Sequence, residues 1–180
     1  IFDLDGTLLN TLDDLHDAVA HSLAAYGLPA RTLDEVRRFV GNGIRLLIER
    51  SVPEGCPDDI TNSVFEEFKN YYGSHCNDKT KPYDGIPELL RQLKSCDIPC
   101  AIVSNKADFA VKTLARDYFD GLCAVAIGER DGIRKKPAPD SVFEAMALLG
   151  AKKPVYVGDS EVDIATAKAA GIPCISVSWG

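Results

Sequence analysis

The chain has 180 residues, of which 46% are apolar and 26% are charged, and its formal net charge is −7. These proportions are close to the averages for globular proteins. An acidic chain without a basic patch is not typical of a nucleic-acid-binding protein, and no apolar stretch approaches the roughly 20 residues that a membrane-spanning helix requires. An acidic protein that acts on an anionic substrate needs a cation in its site.

The cysteines show no pattern typical of disulfides or of zinc. Six of them are scattered along the chain without a CxxC pair, and several lie within apolar runs. Free thiols in a protein core are typical of a reducing compartment, so the sequence predicts a cytoplasmic protein.

The chain opens with the stretch IFDLDGT, in which two apolar residues are followed by two aspartates, Asp3 and Asp5. The apolar residues have the character of a buried strand. An ionised carboxylate at the end of such a strand is costly unless it is paired with a cation or bound to a metal. The alternative is a simple turn, because Asp-Gly is a common turn pair.

A helical block follows the opening stretch. Apolar residues recur three and four positions apart, and Thr11 with Asp14 and Thr32 with Glu35 have the spacing of capping boxes at helix starts. No convincing strand pattern occurs in this block. Residues 12–81 are therefore predicted to form an inserted, all-helical domain.

After Pro82 the pattern changes to short apolar runs that alternate with amphipathic helices. The runs are IPCAIVSN, LCAVAIG, PVYVGD and PCISVS. Such alternation predicts a doubly wound, Rossmann-like α/β fold in which helices cover both faces of a parallel sheet. The opening strand fits the same sheet, so the α/β core is predicted to comprise residues 1–11 and 82–180.

Most of the predicted strands end in polar groups or lead to them. Because ligands bind beyond the carboxyl ends of the strands in such sheets, these groups are expected to lie together. Carboxylates, a hydroxyl and an ammonium at one edge are typical of a Mg²⁺-dependent phosphoryl-transfer site. The candidate residues are Asp3, Asp5, Ser104, Lys136, Asp159 and Asp163.

Two candidates have competing interpretations. Asp163 follows Ser160 at capping-box spacing, so a capping or supporting role is favoured over direct metal ligation. Arg45 follows two glycines in the stretch GNGIR at a helix start, where backbone amides and a guanidinium can hold a small anion such as a carboxylate. A solvent-facing arginine on an amphipathic helix is the alternative.

Four motifs in order resemble those of the haloacid dehalogenase superfamily. They are DLDGT, the hydroxyl in IVSN, the lysine of KPAPD and the acidic GDSEVD. The helical insertion is similar to the cap of the phosphoglycolate phosphatase-like subgroup. The strings VGNGIRLLIER, IVSNK, KKPAPD, GDSEVDIATAKAAG and VSWG also resemble that subgroup.

The resemblance implies a role for each matching residue. Asp3 matches the nucleophile that forms an aspartyl-phosphate, and Asp5 matches the general acid and base. The carboxylates of Asp3 and Asp159 and the backbone carbonyl of Asp5 would hold Mg²⁺. Ser104 would bind a phosphoryl oxygen, and Lys136 would neutralise charge on Asp3 and the phosphate. The further residues expected to contact substrate are Gly6, Thr7, Asn105 and Arg45.

The implied function is hydrolysis of a small phosphate monoester, with 2-phosphoglycolate as the first candidate. The expected partner is this small anionic ester, with neither nucleic acid nor membrane. A β-phosphoglucomutase-like mutase stays an alternative, although such enzymes typically read Glu-Asp where this chain reads Gly158-Asp159. A small-molecule pyrophosphatase also stays open.

Three further functions are disfavoured by particular residues. Dehalogenases of the superfamily lack the second aspartate, which is present here as Asp5. Phosphonate hydrolases recruit a cap lysine, and residues 11–50 contain none. A catalytically silent binding protein would be expected to have lost a motif residue, and none is missing.

Overall fold

In a computed structural model, which describes residues 1–180, the chain divides into an α/β unit of residues 1–10 and 82–180 and a helical unit of residues 11–81. The strands are β1 (Leu9–Asn10), β2 (Lys81–Pro82), β3 (Ala101–Ala107), β4 (Val125–Glu129), β5 (Tyr156–Gly158) and β6 (Cys174–Ser176). The helices are α1 (Leu12–Ala25), α2 (Leu33–Phe39), α3 (Ile44–Ser51), α4 (Asp58–His75), α5 (Ile86–Ser95), α6 (Asp108–Phe119), α7 (Asp140–Leu149) and α8 (Glu161–Ala170).

The opening segment lies in the middle of a parallel sheet. Phe2 bridges Ile102 of β3 on one side and Val157 of β5 on the other, both in parallel. The N–H of Asp3 donates to the carbonyl of Val157 at 2.9 Å. Since β3 pairs with β4 and β5 with β6, the order across the sheet is β4, β3, opening segment, β5, β6. The predicted parallel arrangement is confirmed.

Both faces of this sheet are covered by helices. Side chains of α5 and α6 pack with Phe2, Leu4 and Ile102 on one face. Side chains of α7 and α8 pack with Ala101 and Val103 on the other. Burial on both faces explains why the strands read as continuous apolar runs rather than as alternating patterns. The observed architecture is the predicted doubly wound α/β fold.

The helical unit has an apolar core of its own. Apolar side chains of α1 and α4, spaced three and four residues apart, are buried together with residues of α2 and α3. The most deeply buried members are Ala18, Val19, Leu23, Val36, Ile48, Val64, Phe68 and Tyr72. No helix of the structure is both long and apolar enough to cross a membrane, and the six cysteine thiols are free.

One of the two predicted capping boxes in this unit is confirmed and the other is wrong. Thr32 accepts a hydrogen bond from the N–H of Glu35 at 3.3 Å, and Glu35 accepts one from the N–H of Thr32 at 2.8 Å. The side chain of Thr11 does not cap α1. Asp14 instead accepts hydrogen bonds from the backbone amides of residues 79 and 80 at 2.9 and 2.8 Å. The buried carboxylate of Asp14 is therefore hydrogen-bonded to distant amides, although the sequence predicted that it caps α1.

Candidate active site

The structure brings the predicted carboxylates together at the carboxyl ends of the central strands. Asp3 and Asp5 lie in the opening segment, residues 1–5. Asp159 follows β5, and Asp163 lies in the first turn of α8. One carboxylate oxygen from each of Asp3, Asp159 and Asp163 lies within 4.8 Å of the others. Asp3 and Asp163 are buried, and Asp5 and Asp159 are partly exposed.

Lys136 joins two of these carboxylates. The lysine lies in the loop between β4 and α7, and only 5% of it is exposed. Its ammonium lies 2.7 Å from Oδ1 of Asp3 and 2.7 Å from Oδ1 of Asp163. It also donates to the hydroxyl of Tyr156 at 3.1 Å, and that hydroxyl donates to the carbonyl of Val103 at 3.1 Å. The ammonium is therefore held by three oxygens in a buried network.

Burial and charge affect the groups of this network differently. Burial raises the pKa of Asp3 from 3.8 to about 7, although the neighbouring Lys136 ammonium lowers it. Burial would lower the pKa of Lys136, but the anionic groups around the ammonium hold it well above its usual value. Burial would also raise the pKa of Asp163, yet Lys136 and Ser160 bring it below its usual value. Lys136 and Asp163 thus form a charged pair. At Asp3, the effect of burial on the pKa outweighs the attraction of the Lys136 ammonium.

Asp159 is oriented by the loop after the opening segment. The hydroxyl of Thr7 donates to Oδ1 of Asp159 at 2.8 Å. Gly6 has a φ of +80°, and a Cβ at that position would collide with the Asp159 carboxylate. Burial raises the pKa of Asp159. Gly6 and Thr7 thus support Asp159, and their predicted contact with substrate stays a prediction.

Asn105 fixes the backbone of Lys136. Its side-chain oxygen accepts from the N–H of Lys136 at 2.8 Å, and its side-chain nitrogen donates to the carbonyl of Lys136 at 3.0 Å. The oxygen and the nitrogen of the buried Asn105 side chain are therefore both hydrogen-bonded to the backbone of Lys136. Asn105 therefore supports Lys136, and its predicted contact with substrate stays a prediction. Ser104, its neighbour in β3, is also buried, and Oγ of Ser104 accepts from the N–H of Lys106 at 3.2 Å.

The predicted capping box at the start of α8 is confirmed. Oγ of Ser160 accepts from the N–H of Asp163 at 3.4 Å, and Oδ2 of Asp163 accepts from the N–H and the hydroxyl of Ser160 at 3.1 and 2.6 Å. Asp163 therefore uses Oδ1 on Lys136 and Oδ2 on the helix cap. This arrangement favours a supporting role for Asp163 over direct metal ligation.

Two residues of the site were not identified from the sequence. Lys106, with 3% of its side chain exposed, forms an ion pair with Oδ1 of Asp5 at 2.8 Å, and Tyr156 belongs to the Lys136 network. Lys106 is a buried residue of β3, and Tyr156 is a buried residue of β5. A buried ammonium needs an anionic partner, and a buried tyrosine hydroxyl usually needs a hydrogen-bond partner. A lysine or a tyrosine within an apolar strand run was therefore the sequence feature that could have identified these two residues.

Arg45 lies in the first turn of α3, in the helical unit. Its guanidinium donates to Oε1 of Glu49 at 2.6 Å and to Oδ1 of Asn62 at 2.6 Å, and it lies 5.4 Å from the ring centroid of Phe65. Gly43, which precedes the helix, has a φ of +89°. Arg45 is thus held in place by neighbours of its own unit.

The donor set of the α/β unit fits a hard divalent cation. Carboxylate and carbonyl oxygens are the ligands that Mg²⁺ prefers. Asp3 and Asp159 are partly or fully desolvated carboxylates whose pKa values are raised, and a cation between them would favour their ionised forms. A buried ammonium 2.7 Å from Asp3 is suited to binding a phosphoryl group.

Comparisons with known proteins agree with this geometry. Residues 1–177 match the family model described as haloacid dehalogenase-like hydrolase. A phosphoglycolate phosphatase of Mesorhizobium japonicum is 37% identical over 188 aligned residues, which cover 100% of this chain and 82% of the relative.

Solved structures give the same result. The crystal structure of a predicted phosphoglycolate phosphatase from Haemophilus somnus superposes with a TM-score of 0.92 at 29% identity, covering 99% of this chain and 84% of that one. The structure of CbbY from Rhodobacter sphaeroides in complex with phosphate has a TM-score of 0.73 at 26% identity, covering 97% and 83%. The chain therefore belongs to the haloacid dehalogenase-like hydrolases and resembles the phosphoglycolate phosphatases among them.

Proposed function

We propose that this protein is a Mg²⁺-dependent phosphatase that hydrolyses 2-phosphoglycolate or a similarly small phosphate monoester through an aspartyl-phosphate on Asp3. The observation that carries the proposal is the buried cluster of Asp3, Lys136 and Asp163, in which one ammonium lies 2.7 Å from both carboxylates. A structural ion pair alone would not need a second carboxylate whose charge is disfavoured by burial.

The proposed reaction has two halves. In the first, a carboxylate oxygen of Asp3 forms a bond to phosphorus while the bond from phosphorus to the ester oxygen breaks, and Asp5 donates a proton to the leaving alcohol. In the second, Asp5 takes a proton from water, whose oxygen attacks phosphorus and releases phosphate and the Asp3 carboxylate. One residue can serve both halves because the first leaves it in the protonation state that the second requires.

The other residues would stabilise negative charge during these steps. Lys136 would offset negative charge on Asp3 and on the phosphoryl oxygens, and the Ser104 hydroxyl would donate to one of those oxygens. The residues that would hold Mg²⁺ are Asp3 and Asp159, through their carboxylates, and Asp5, through its backbone carbonyl. When bound, Mg²⁺ supplies positive charge that reduces the repulsion between an anionic nucleophile and an anionic phosphate.

The helical unit of residues 11–81 is proposed to act as a cap, and Arg45 in it to contribute to substrate recognition. A cap of this kind would exclude bulk water and admit only small esters. The names of the similar proteins support phosphoglycolate as the ester. A carboxylate-bearing ester also suits a guanidinium, which binds carboxylates with charge-assisted hydrogen bonds.

The mutase alternative is disfavoured by the surroundings of Gly158. Mutases of the superfamily typically carry glutamate at this position. A Cβ at Gly158 would collide with the side chain of Asp163, whose contacts with Lys136 and Ser160 fix its place. A glutamate would therefore displace part of the charged network that the present chain uses.

The proposal is tested by measuring phosphate release from 2-phosphoglycolate, β-glucose 1-phosphate, pyrophosphate and p-nitrophenyl phosphate, with Mg²⁺ and with EDTA. We expect Mg²⁺-dependent turnover led by 2-phosphoglycolate, and a loss of at least about 10³-fold in Asp3→Asn because the nucleophile is removed. Asp131→Asn, which changes an exposed aspartate of the same unit, is the matched control and should keep full activity.

Two results would contradict the proposal. Turnover led by another compound would refute the substrate while keeping the chemistry. Equal turnover by Asp3→Asn and the wild type would refute the aspartyl-phosphate.

A further inference from the structure

The site contains a second buried lysine that the proposed reaction does not use. Each of the two aspartates of the opening stretch lies beside an ammonium: Asp3 shares Lys136 with Asp163 at 2.7 Å, and Asp5 pairs with Lys106 at 2.8 Å. The side chain of Lys106 is 3% exposed and that of Lys136 is 4% exposed. A buried ammonium is costly to desolvate, so its place beside Asp5 calls for an explanation.

The backbone of Lys106 is fixed on two sides. Its N–H donates to Oγ of Ser104 at 3.2 Å, at the end of β3. On the β4 side, a Cβ at Gly128 would lie 2.6 Å from the carbonyl oxygen of Lys106, so the two strands approach closely there. The lysine thus extends from the buried end of β3, whereas Asp5, which forms an isolated bridge with Leu9, has 16% of its side chain exposed.

We propose that Lys106 is a positioning residue that holds the Asp5 carboxylate where it exchanges protons with the leaving alcohol and with water. This inference rests on the proposed function, in which Asp5 is the general acid and base. A partly exposed carboxylate on a loop samples several rotamers, and proton transfer requires it to stay within hydrogen-bond reach of the ester oxygen. The ion pair with Lys106, at the buried end of β3, restricts the rotamers of Asp5.

This assignment separates the two lysines by the step that each one serves. Lys136 acts on the nucleophile and the phosphoryl group, so its removal should affect all esters. Lys106 acts through Asp5, so its removal should matter most where the leaving group needs a proton. An alkoxide such as the one released from 2-phosphoglycolate needs that proton, whereas p-nitrophenolate leaves readily without it.

The test compares kcat/KM of the wild type and of Lys106→Met for 2-phosphoglycolate and for p-nitrophenyl phosphate in the presence of Mg²⁺. This quantity reports the steps up to release of the alcohol and is insensitive to the later hydrolysis. We expect a loss of about 10²-fold for 2-phosphoglycolate and of less than about threefold for p-nitrophenyl phosphate. Lys112→Met, which removes an exposed lysine paired with Asp108, should change neither value.

The mechanism is checked in the Asp5→Asn background. If Lys106 acts only through Asp5, adding Lys106→Met there should leave kcat/KM for 2-phosphoglycolate unchanged within about twofold. A further large loss would overturn the inference, because it would show that Lys106 contacts the substrate directly. Equal losses for the two esters in the single variant would overturn it as well.

A crystal structure of Lys106→Met gives a readout that does not depend on turnover. We expect the Asp5 carboxylate to move by roughly 1 Å or to lose a single position. An unmoved, ordered Asp5 would refute the inference even if the wild type has no activity on any of the esters. Lys106→Gln, whose amide can still donate to Asp5, serves if the methionine variant does not fold, and should show the same ester dependence with a smaller loss.

Discussion

At the scale of single residues, Lys136 determines how charge is distributed in the site. Its ammonium is held by Asp3, Asp163 and Tyr156, and its backbone is held by Asn105. Removing one partner of such a network leaves other buried groups unsatisfied, which costs more than the lost hydrogen bond itself. The network therefore holds Asp3, the proposed nucleophile, at one position before any substrate binds.

The raised pKa of Asp3 leads to a prediction about stability without metal. Burial raises that pKa from 3.8 to about 7, so the folded state binds the proton more tightly than the unfolded state. The contribution of Asp3 to stability must therefore fall as pH rises from about 4 to 7. In EDTA, we expect the Tm of Asp3→Asn, relative to that of the wild type, to rise by several degrees between about pH 5 and pH 8. Thermal unfolding at the two pH values measures this, and a Tm difference that does not change with pH would contradict it.

The residues proposed to carry the chemistry could be identified from the sequence, but most of the contacts that support them could not. Asp3, Lys136 and Asp159 stand at strand ends or in the loops that follow them, where their residue types alone indicate chemistry. Thr7 and Asn105 act through hydrogen bonds to residues 152 and 31 positions away, and local pattern carries no information about such contacts. The predicted contacts of both residues with substrate stay predictions.

At the scale of elements, the start of α8 links helix stability to the site. The Ser160 capping box satisfies the first turn of the helix and, through Oδ2 of Asp163, also holds a member of the Lys136 network. The box at the start of α2, formed by Thr32 and Glu35, has the same geometry but lies on an exposed helix of the other unit. The chain therefore contains a matched pair of caps, of which the one on α8 touches the site.

We predict that Ser160→Ala and Thr32→Ala cost similar stability and differ in activity. Each variant loses an N-cap hydrogen bond, which contributes about 1 kcal/mol to the free energy of unfolding. Ser160→Ala should also release one oxygen of Asp163 and lower kcat for phosphate ester hydrolysis by about tenfold, whereas Thr32→Ala should keep the wild-type kcat. Denaturant unfolding and steady-state kinetics on both variants make the comparison. Equal kcat values would show that the cap serves the helix alone.

Helix and strand positions were predicted more reliably than the contacts at their ends. The three- and four-residue spacing of apolar side chains identified α1, α3 and α4, because burial against one core requires that period. The cap proposed for α1 failed, since Asp14 is used by backbone amides 65 and 66 positions away. A carboxylate near a helix start fits a capping pattern whether or not it caps.

At the scale of the whole molecule, the two units have separate cores and are proposed to have separate tasks. Every group assigned to bond making and bond breaking belongs to the α/β unit, and the proposed recognition of the substrate carboxylate belongs to the helical unit. Such a division would let substrate preference change through the insertion while the phosphoryl-transfer residues stay in place.

The division predicts a particular effect of Arg45→Ala. Loss of the guanidinium should raise KM for 2-phosphoglycolate by about tenfold and leave KM for p-nitrophenyl phosphate, which has no carboxylate, within about twofold. Arg37→Ala, which removes an exposed arginine paired with Asp34 in the same unit, is the control and should alter neither. Equal increases for both esters would assign Arg45 to the stability of the helical unit instead.

The central position of the opening segment also bears on how the protein is made. The helical unit is one continuous stretch, and a nascent chain can fold it soon after residue 81 has left the ribosome. The segment that carries Asp3 and Asp5 precedes the helical unit in the chain, but its N–H and C=O groups pair with β3 and with β5, which ends at Gly158. Because this segment pairs with β5, the cluster of Asp3, Asp159 and Asp163 can form only after residue 163 has been synthesised.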